Sequence, residues 1–224
     1  MAVAFGACLY ERWLVRRRPQ ELAWAVSLAL FACGSGALWA GATLGWDPST
    51  FRAFYFFGAV ANVPVLALGT VYLLASSRRR AHAVAGAVGL AVAFAGGVLA
   101  VAPLTGPVTP EVLPQGSEVF GVLPRLLAAV ASGLGATVVF VGAAWSGVRL
   151  LRGRANRRLA AGNVLIALGT VVLSASGLFN SVADEMQAFA ISLALGITVL
   201  FAGFLVTTTG APADRGARRL RRVA

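Results

Sequence analysis

An all-α membrane protein of seven transmembrane helices, N-terminus outside and C-terminus inside, is the fold class predicted by three observations. Composition comes first: 58% of the 224 residues are apolar, 12% are charged and mean hydropathy is +0.81, too apolar to build a water-soluble surface. The second is segment length, because about 20 apolar residues cross ~30 Å of hydrocarbon and the chain is divided into runs of that size. The third is the placement of the 19 basic side chains, all of them arginine, which recur in every second connection.

The chain opens on an apolar run, Met1 to Val15, interrupted by Glu11 and Arg12. It is short for a span, and its positive charges follow the apolar part, unlike those of a signal peptide. Six longer segments come next: Leu22–Leu44, Ala53–Ala75, Ala83–Ala102, Leu126–Val148, Leu159–Phe179 and Ala188–Thr208. The first connection carries Arg12, Arg16, Arg17 and Arg18, the third Arg78, Arg79 and Arg80, and the fifth Arg149, Arg152, Arg154, Arg157 and Arg158. The tail adds Arg215, Arg218, Arg219, Arg221 and Arg222, whereas the alternate connections hold only Arg52 and Arg125, with Asp47, Glu111, Glu118, Asp184 and Glu185. Short Arg-rich loops stay cytoplasmic, so the formal charge of +11 reads as an orientation signal and not as a nucleic-acid footprint. Residues 1–210 are expected to form the transmembrane domain and 211–224 a basic cytoplasmic tail lying on the inner leaflet. A bacterial plasma (inner) membrane is the expected location, and the bilayer the first partner.

Five of the nine prolines, Pro103, Pro107, Pro110, Pro114 and Pro124, fall between the fourth and fifth helices, which predicts an irregular extracytoplasmic loop with no further span. Trp46, Phe51, Phe54, Tyr55, Phe56 and Phe57 gather where the third helix enters from outside and read as an interfacial aromatic belt.

Several chemistries lose their residues. A retinal Schiff base needs a lysine, and there is none. His82, the single histidine, stands beside Arg78, Arg79 and Arg80, so no haem or histidine-ligated metal is supported. Cys8 and Cys33 are isolated in apolar segments and read as packing residues. Cys33-Gly34-Ser35-Gly36 is superficially like the Gly-x-Ser-Gly of rhomboid proteases, but no base accompanies the serine. Gly34, Gly36, Gly41 and Gly45 are more simply a close-packing face. No cofactor and no catalytic group are expected.

Two sets of residues are candidates for a site. No acid, arginine or histidine lies in the central segments, so what remains there is neutral: Asn62 and Thr70 on the third helix, and Asn163, Thr170 and Ser174 on the sixth. Asn163, Thr170, Ser174 and Gly177 share one helical stripe by their spacing, serving either interhelical hydrogen bonding or a permeation path. The other set is an outer rim, where Arg52 and Arg125 break the charge pattern near Tyr55, Asp184 and Glu185. Arginine forks pair well with carboxylates, so these residues either clamp helix ends or bind an anionic or zwitterionic ligand.

Leu66 to Ser76 matches Ile166 to Ser176 at eight of eleven positions. A genuine repeat would be inverted across the membrane, a transporter signature, although the abundance of Ala, Leu, Val and Gly makes coincidence the simpler account. Gly45-Trp46-Asp47-Pro48 with Phe51 to Tyr55, Leu68 to Leu74, Gly142 to Arg149 and Ala161 to Ala167 together resemble an uncharacterised family of multi-pass membrane proteins from high-GC, actinobacterial-type bacteria. That resemblance implies a longer first helix, with ~5–10 further apolar residues before Met1 to complete a span. The Arg-rich, Pro-containing lead into the second helix is also similar to the seven-helix sensor regions that precede histidine kinases. These readings together imply a non-enzymatic sensing or partner-binding module, with a small permease for an uncharged or lipid-like solute as the second reading and a membrane hydrolase as the third. Anionic lipid at the cytoplasmic Arg clusters and a membrane or cytoplasmic protein are the implied partners.

Overall fold

The computed structural model describes residues 2–152, 161–173 and 186–208. Ser174, Asp184, Glu185 and the basic tail lie outside the described residues. Helices account for nearly all of what is described: α1 (Ala2–Arg16), α2 (Pro19–Leu44), α3 (Pro48–Tyr55), a π-helical turn (Phe56–Ala61), α4 (Asn62–Leu74), α5 (Arg78–Val101), α6 (Gly116–Val119), α7 (Val122–Arg152), α8 (Ala161–Leu173) and α9 (Met186–Thr208). Among the described residues four helical stretches are long and apolar enough to cross a membrane: Pro19–Leu44, Pro48–Leu74, Arg78–Val101 and Val122–Arg149. The helices extend past the apolar segments into charged turns, so α2 begins at Pro19 and α5 at Arg78.

Local chemistry explains the breaks. Arg17 adopts a left-handed conformation (φ 52°) and its N–H bonds Trp13 O at 2.7 Å, which ends α1. Pro19 then stands at the first position of α2, where its missing N–H costs nothing. Gly45, at φ 93°, turns the chain from α2 into α3, a conformation that disfavours any side chain. Asp47 caps α3, accepting the N–H of Ser49 at 2.8 Å and that of Thr50 at 3.2 Å, with Pro48 following it.

The π-helical turn has an identifiable cause. Pro64 sits inside the helix without an N–H, so carbonyls one turn earlier lose their donor and the helix must widen. Ala59 O is one of those carbonyls, and the Ser132 hydroxyl from α7 donates to it at 2.5 Å. Gly135 lets the two chains approach, since a Cβ there would lie 2.9 Å from the Val63 carbonyl.

Around this centre α1 packs on α2, α2 on α3 and α4, and α4 on α7. Gly69 of α4 lies under the Trp24 indole of α2; a Cβ there would come within 1.9 Å of Nε1. Phe5 and Leu9 of α1, Ala25 and Leu28 of α2 and Phe204 of α9 form one buried cluster. In α5 the buried residues are Ala81, Ala95 and Leu99, while Val84, Leu90 and Phe94 point outward. Such outward apolar surface suits a lipid environment and not water.

Candidate functional site

The Pro-rich segment between α5 and α7 folds back over the end of the bundle. Thr105 N–H bonds Val119 O at 2.9 Å, Leu104 and Phe120 form an isolated antiparallel bridge, and Trp46 N–H bonds Pro110 O at 3.0 Å. Beneath it Trp46, Phe51, Leu99, Leu113, Val119 and Phe120 form a closed core. Phe51 is 0% and Trp46 3% exposed, so these two are not the lipid-facing belt that an aromatic cluster at a helix entry suggests. Phe51 stacks on Phe120 at 5.3 Å between ring centroids. The expected irregular loop is therefore a packed cap, because its apolar residues alternate with the prolines and find a ready aromatic surface below.

Three of the five rim residues are described, and all meet at Phe120 or its neighbour. Arg52 lies with its guanidinium carbon 5.7 Å from the Phe120 ring centre, and the Tyr55 ring is 5.0 Å from the same ring. Arg125 is exposed and close enough to the Tyr55 hydroxyl to act on it electrostatically. The partners of Arg52 differ from the carboxylates its chemistry suggested: it donates to Leu99 O and, at 2.7 Å, to Ala102 O. Those are carbonyls at the C-terminal end of α5, where a helix leaves acceptors unfilled and a positive charge is favourable. Asp47, the nearest acid in sequence, is engaged instead with the hydroxyls of Ser49 and Thr50. Those hydroxyls, Ser49 first, together with the two main-chain N–H groups, hold its carboxyl well below the usual carboxylate range.

The neutral polar residues of the helices face one another. Ser27 Oγ of α2 donates to Asn62 Oδ1 of α4 at 2.7 Å, and Asn163 Nδ2 of α8 donates to Ser146 Oγ of α7 at 3.1 Å. Thr170 is buried and bonds back to Ile166 O at 2.8 Å. Thr70 turns its methyl toward Gly142 of α7, where a Cβ would sit 2.3 Å from it. Asn62, Thr70 and Asn163 therefore serve three different interfaces, α2–α4, α4–α7 and α7–α8, and do not form one continuous stripe. The two similar segments also meet unlike surroundings. Gly69 faces an indole, whereas Gly169 faces the α9 backbone at Leu200 N and Gly196 O.

Sequence reasoning missed one pair. Glu21, one residue before the second apolar segment, is only 4% exposed, and its Oε1 lies 3.5 Å from Arg12 Nε without hydrogen-bond alignment. The Arg12 guanidinium also stands 5.5 Å over the Phe204 ring, so α1, α2 and α9 meet at one charge. The available signal was an acid bordering an apolar run that follows an Arg-bearing turn. At the same end Tyr72 Oη and His82 Nδ1 are 3.0 Å apart. Among the described residues no three His, Cys, Asp or Glu side chains are grouped as a metal site would require. No protein-family model matches this chain, and neither a curated protein nor a solved structure matches it.

Proposed function

We propose that the protein is a multi-pass inner-membrane module that senses or binds a partner and carries out no reaction of its own. The observation that carries this reading is the use made of its polar groups. Ser27, Asn62, Ser132, Asn163 and Arg52 each hold a neighbouring segment, which leaves them spent on assembly, not free for a solute or a reacting group. The Pro-rich cap is joined through Phe51 and Arg52 to α3 and α5, and the π-helical turn stands directly below it. A push on the cap would move those helix ends together, and a π turn is a common place for a helix to shift register. Seven spans with the cap outside and the arginines inside complete the picture, on the charge rule.

Mass spectrometry of material co-purifying in mild detergent, beside solute uptake in proteoliposomes, tests the reading. A stoichiometric protein or ligand and no uptake is the expected result; saturable, protein-dependent uptake would replace the module with a permease. Orientation is tested by single cysteines in a background lacking Cys8 and Cys33. A cysteine at Ser117 should react with a membrane-impermeant thiol reagent in intact cells and one at Ser76 should not; both positions are exposed. Gly116 is unsuitable as a labelling position, since any Cβ there meets the Tyr55 ring at 2.5 Å.

A further inference from the structure

At the Arg-rich end, the α1–α2 turn, the end of α4 and the start of α5 enclose a cleft of about 220 Å³ lined by Arg18, Pro19, Gln20, Tyr72, Ala75, Arg78 and Ala81. Its charged lining is all of one sign. Two arginines of this end already have partners, Arg12 on Glu21 and Phe204 and Arg17 at 4.9 Å over the Trp13 ring; of the rest, Arg18 and Arg78 are the ones that line the cleft. Arg18 and Arg78 have no acidic partner among the described residues. They come from different connections, so folding itself brings two like charges to one concavity, which is unfavourable without a counter-anion.

The cleft is also pre-shaped. Arg18 precedes a proline and is held extended (φ −90°, ψ 120°), as steric contact with the proline ring requires. Ala75 is a small lining residue and takes up little of the cleft. Gln20 adds amide hydrogens, and the Tyr72 hydroxyl, 3.0 Å from His82 Nδ1, is free to donate into the cleft in the tautomer whose Nδ1 carries the proton. Neither α2 nor α5 has a side-chain cap at its first turn; α5, with no acid there, adds its positive end to the field of the cleft, whereas the first-turn Glu21 of α2 is taken up by Arg12. Guanidinium forks with neutral donors between them match a tetrahedral oxyanion.

We propose that this cleft is a binding site for a phosphate group, with Arg18 and Arg78 as its clamp and Gln20 and Tyr72 as neutral donors. The phosphate belongs either to an anionic lipid headgroup in the adjoining leaflet or to a small soluble phosphate compound. The site stands whether or not the Pro-rich end senses anything.

The test measures lipid retention by native mass spectrometry on the full chain in mild detergent, with phosphatidylglycerol or phosphatidylcholine added. Three variants are compared with the parent: Arg18→Gln with Arg78→Gln, Arg79→Gln with Arg80→Gln, and Ala75→Leu. The second pair removes equal charge from residues that do not line the cleft, and Ala75→Leu fills the cleft while keeping every arginine. Preference for phosphatidylglycerol should fall at least about tenfold in the first and third variants and by less than about twofold in the second. Competition by inorganic phosphate distinguishes the sources: retention that millimolar phosphate leaves unchanged marks a lipid site. Thermal stabilisation by phosphate without lipid preference, lost in the first and third variants, marks a soluble ligand. The proposal is overturned if the two arginine pairs lose retention equally, if Ala75→Leu retains it, or if neither phosphatidylglycerol nor phosphate has an effect on the parent.

Discussion

At the Pro-rich end Arg52 is enclosed between Phe120 and the last carbonyls of α5. At the Arg-rich end Arg18 and Arg78 border an open cleft with no acidic partner among the described residues. The same side chain thus serves assembly at one end and stays available at the other. What separates the two is the neighbouring chain. The 20 residues between α5 and α7, 102–121, carry enough apolar surface to seal a helix end, whereas the turns at residues 17–18 and 75–77 are too short to cover anything. A sealed end is suited to passing on displacement as a unit; an open, charged end is suited to exchange with something outside the chain.

Four comparisons would break or sharpen this contrast. The largest effect is expected from Phe51→Ala, which empties the centre of the cap. A loss of about 4 kcal/mol should appear as a lowered unfolding temperature in detergent and as protease cleavage within the segment joining α5 to α7. A cap that stays protected would mean that its main-chain bonds suffice to hold it. Gly69→Ala tests the interior shared by both ends. With Trp24 in the way, about 3 kcal/mol should be lost, and adding Trp24→Ala should recover part of it.

Arg52→Ala set beside Arg78→Ala puts the contrast directly. Losing two charged hydrogen bonds to α5 carbonyls should cost about 2 kcal/mol, while Arg78→Ala should stay within about 0.5 kcal/mol. Equal losses would remove the distinction between spent and available arginines. The smallest effect concerns Asp47, which is exposed and whose carboxyl is depressed by its cap bonds. A depressed pKa in the folded state supplies stability above the ordinary carboxylate value of about 3.9, lost as pH falls through the folded value. The stability difference between the parent and Asp47→Asn should therefore be flat from about pH 5 to 8 and shrink only below about pH 4.

The candidate residues show how far pattern alone reaches. That Asn163 and Thr170 lie in one apolar helix was legible, because helix formation is a local property. That Asn163 meets Ser146 while Asn62 meets Ser27 was not legible, since a single helix does not specify which neighbour it touches. Arg52 was recognisable as an exception to the charge pattern, yet its partners are main-chain carbonyls, which carry no residue identity and leave no trace in a sequence. Glu21 was passed over because it borders an apolar run, and its burial against Arg12 depends on how α1 turns back on α2.

By itself the sequence determined the all-helical character of the described chain and the four stretches able to cross a membrane, because backbone satisfaction and apolar length act locally along the chain. Local chemistry also dictates the turns at Pro19, Gly45 and Pro48, through a ring or a missing Cβ, although Gly45 reads in the sequence as part of a close-packing face and proves to be a turn residue at φ 93°. Only the tertiary structure decided that Trp46 and Phe51 form a core under the Pro-rich segment, that Ser132 fills the carbonyl left by the π-helical turn, and that Arg18 and Arg78 share one cleft. Each of these joins residues remote in sequence, and the free energy that selects such a pairing comes from shape, hydrogen-bond completion and charge between segments. None of these is a property that any one segment carries alone.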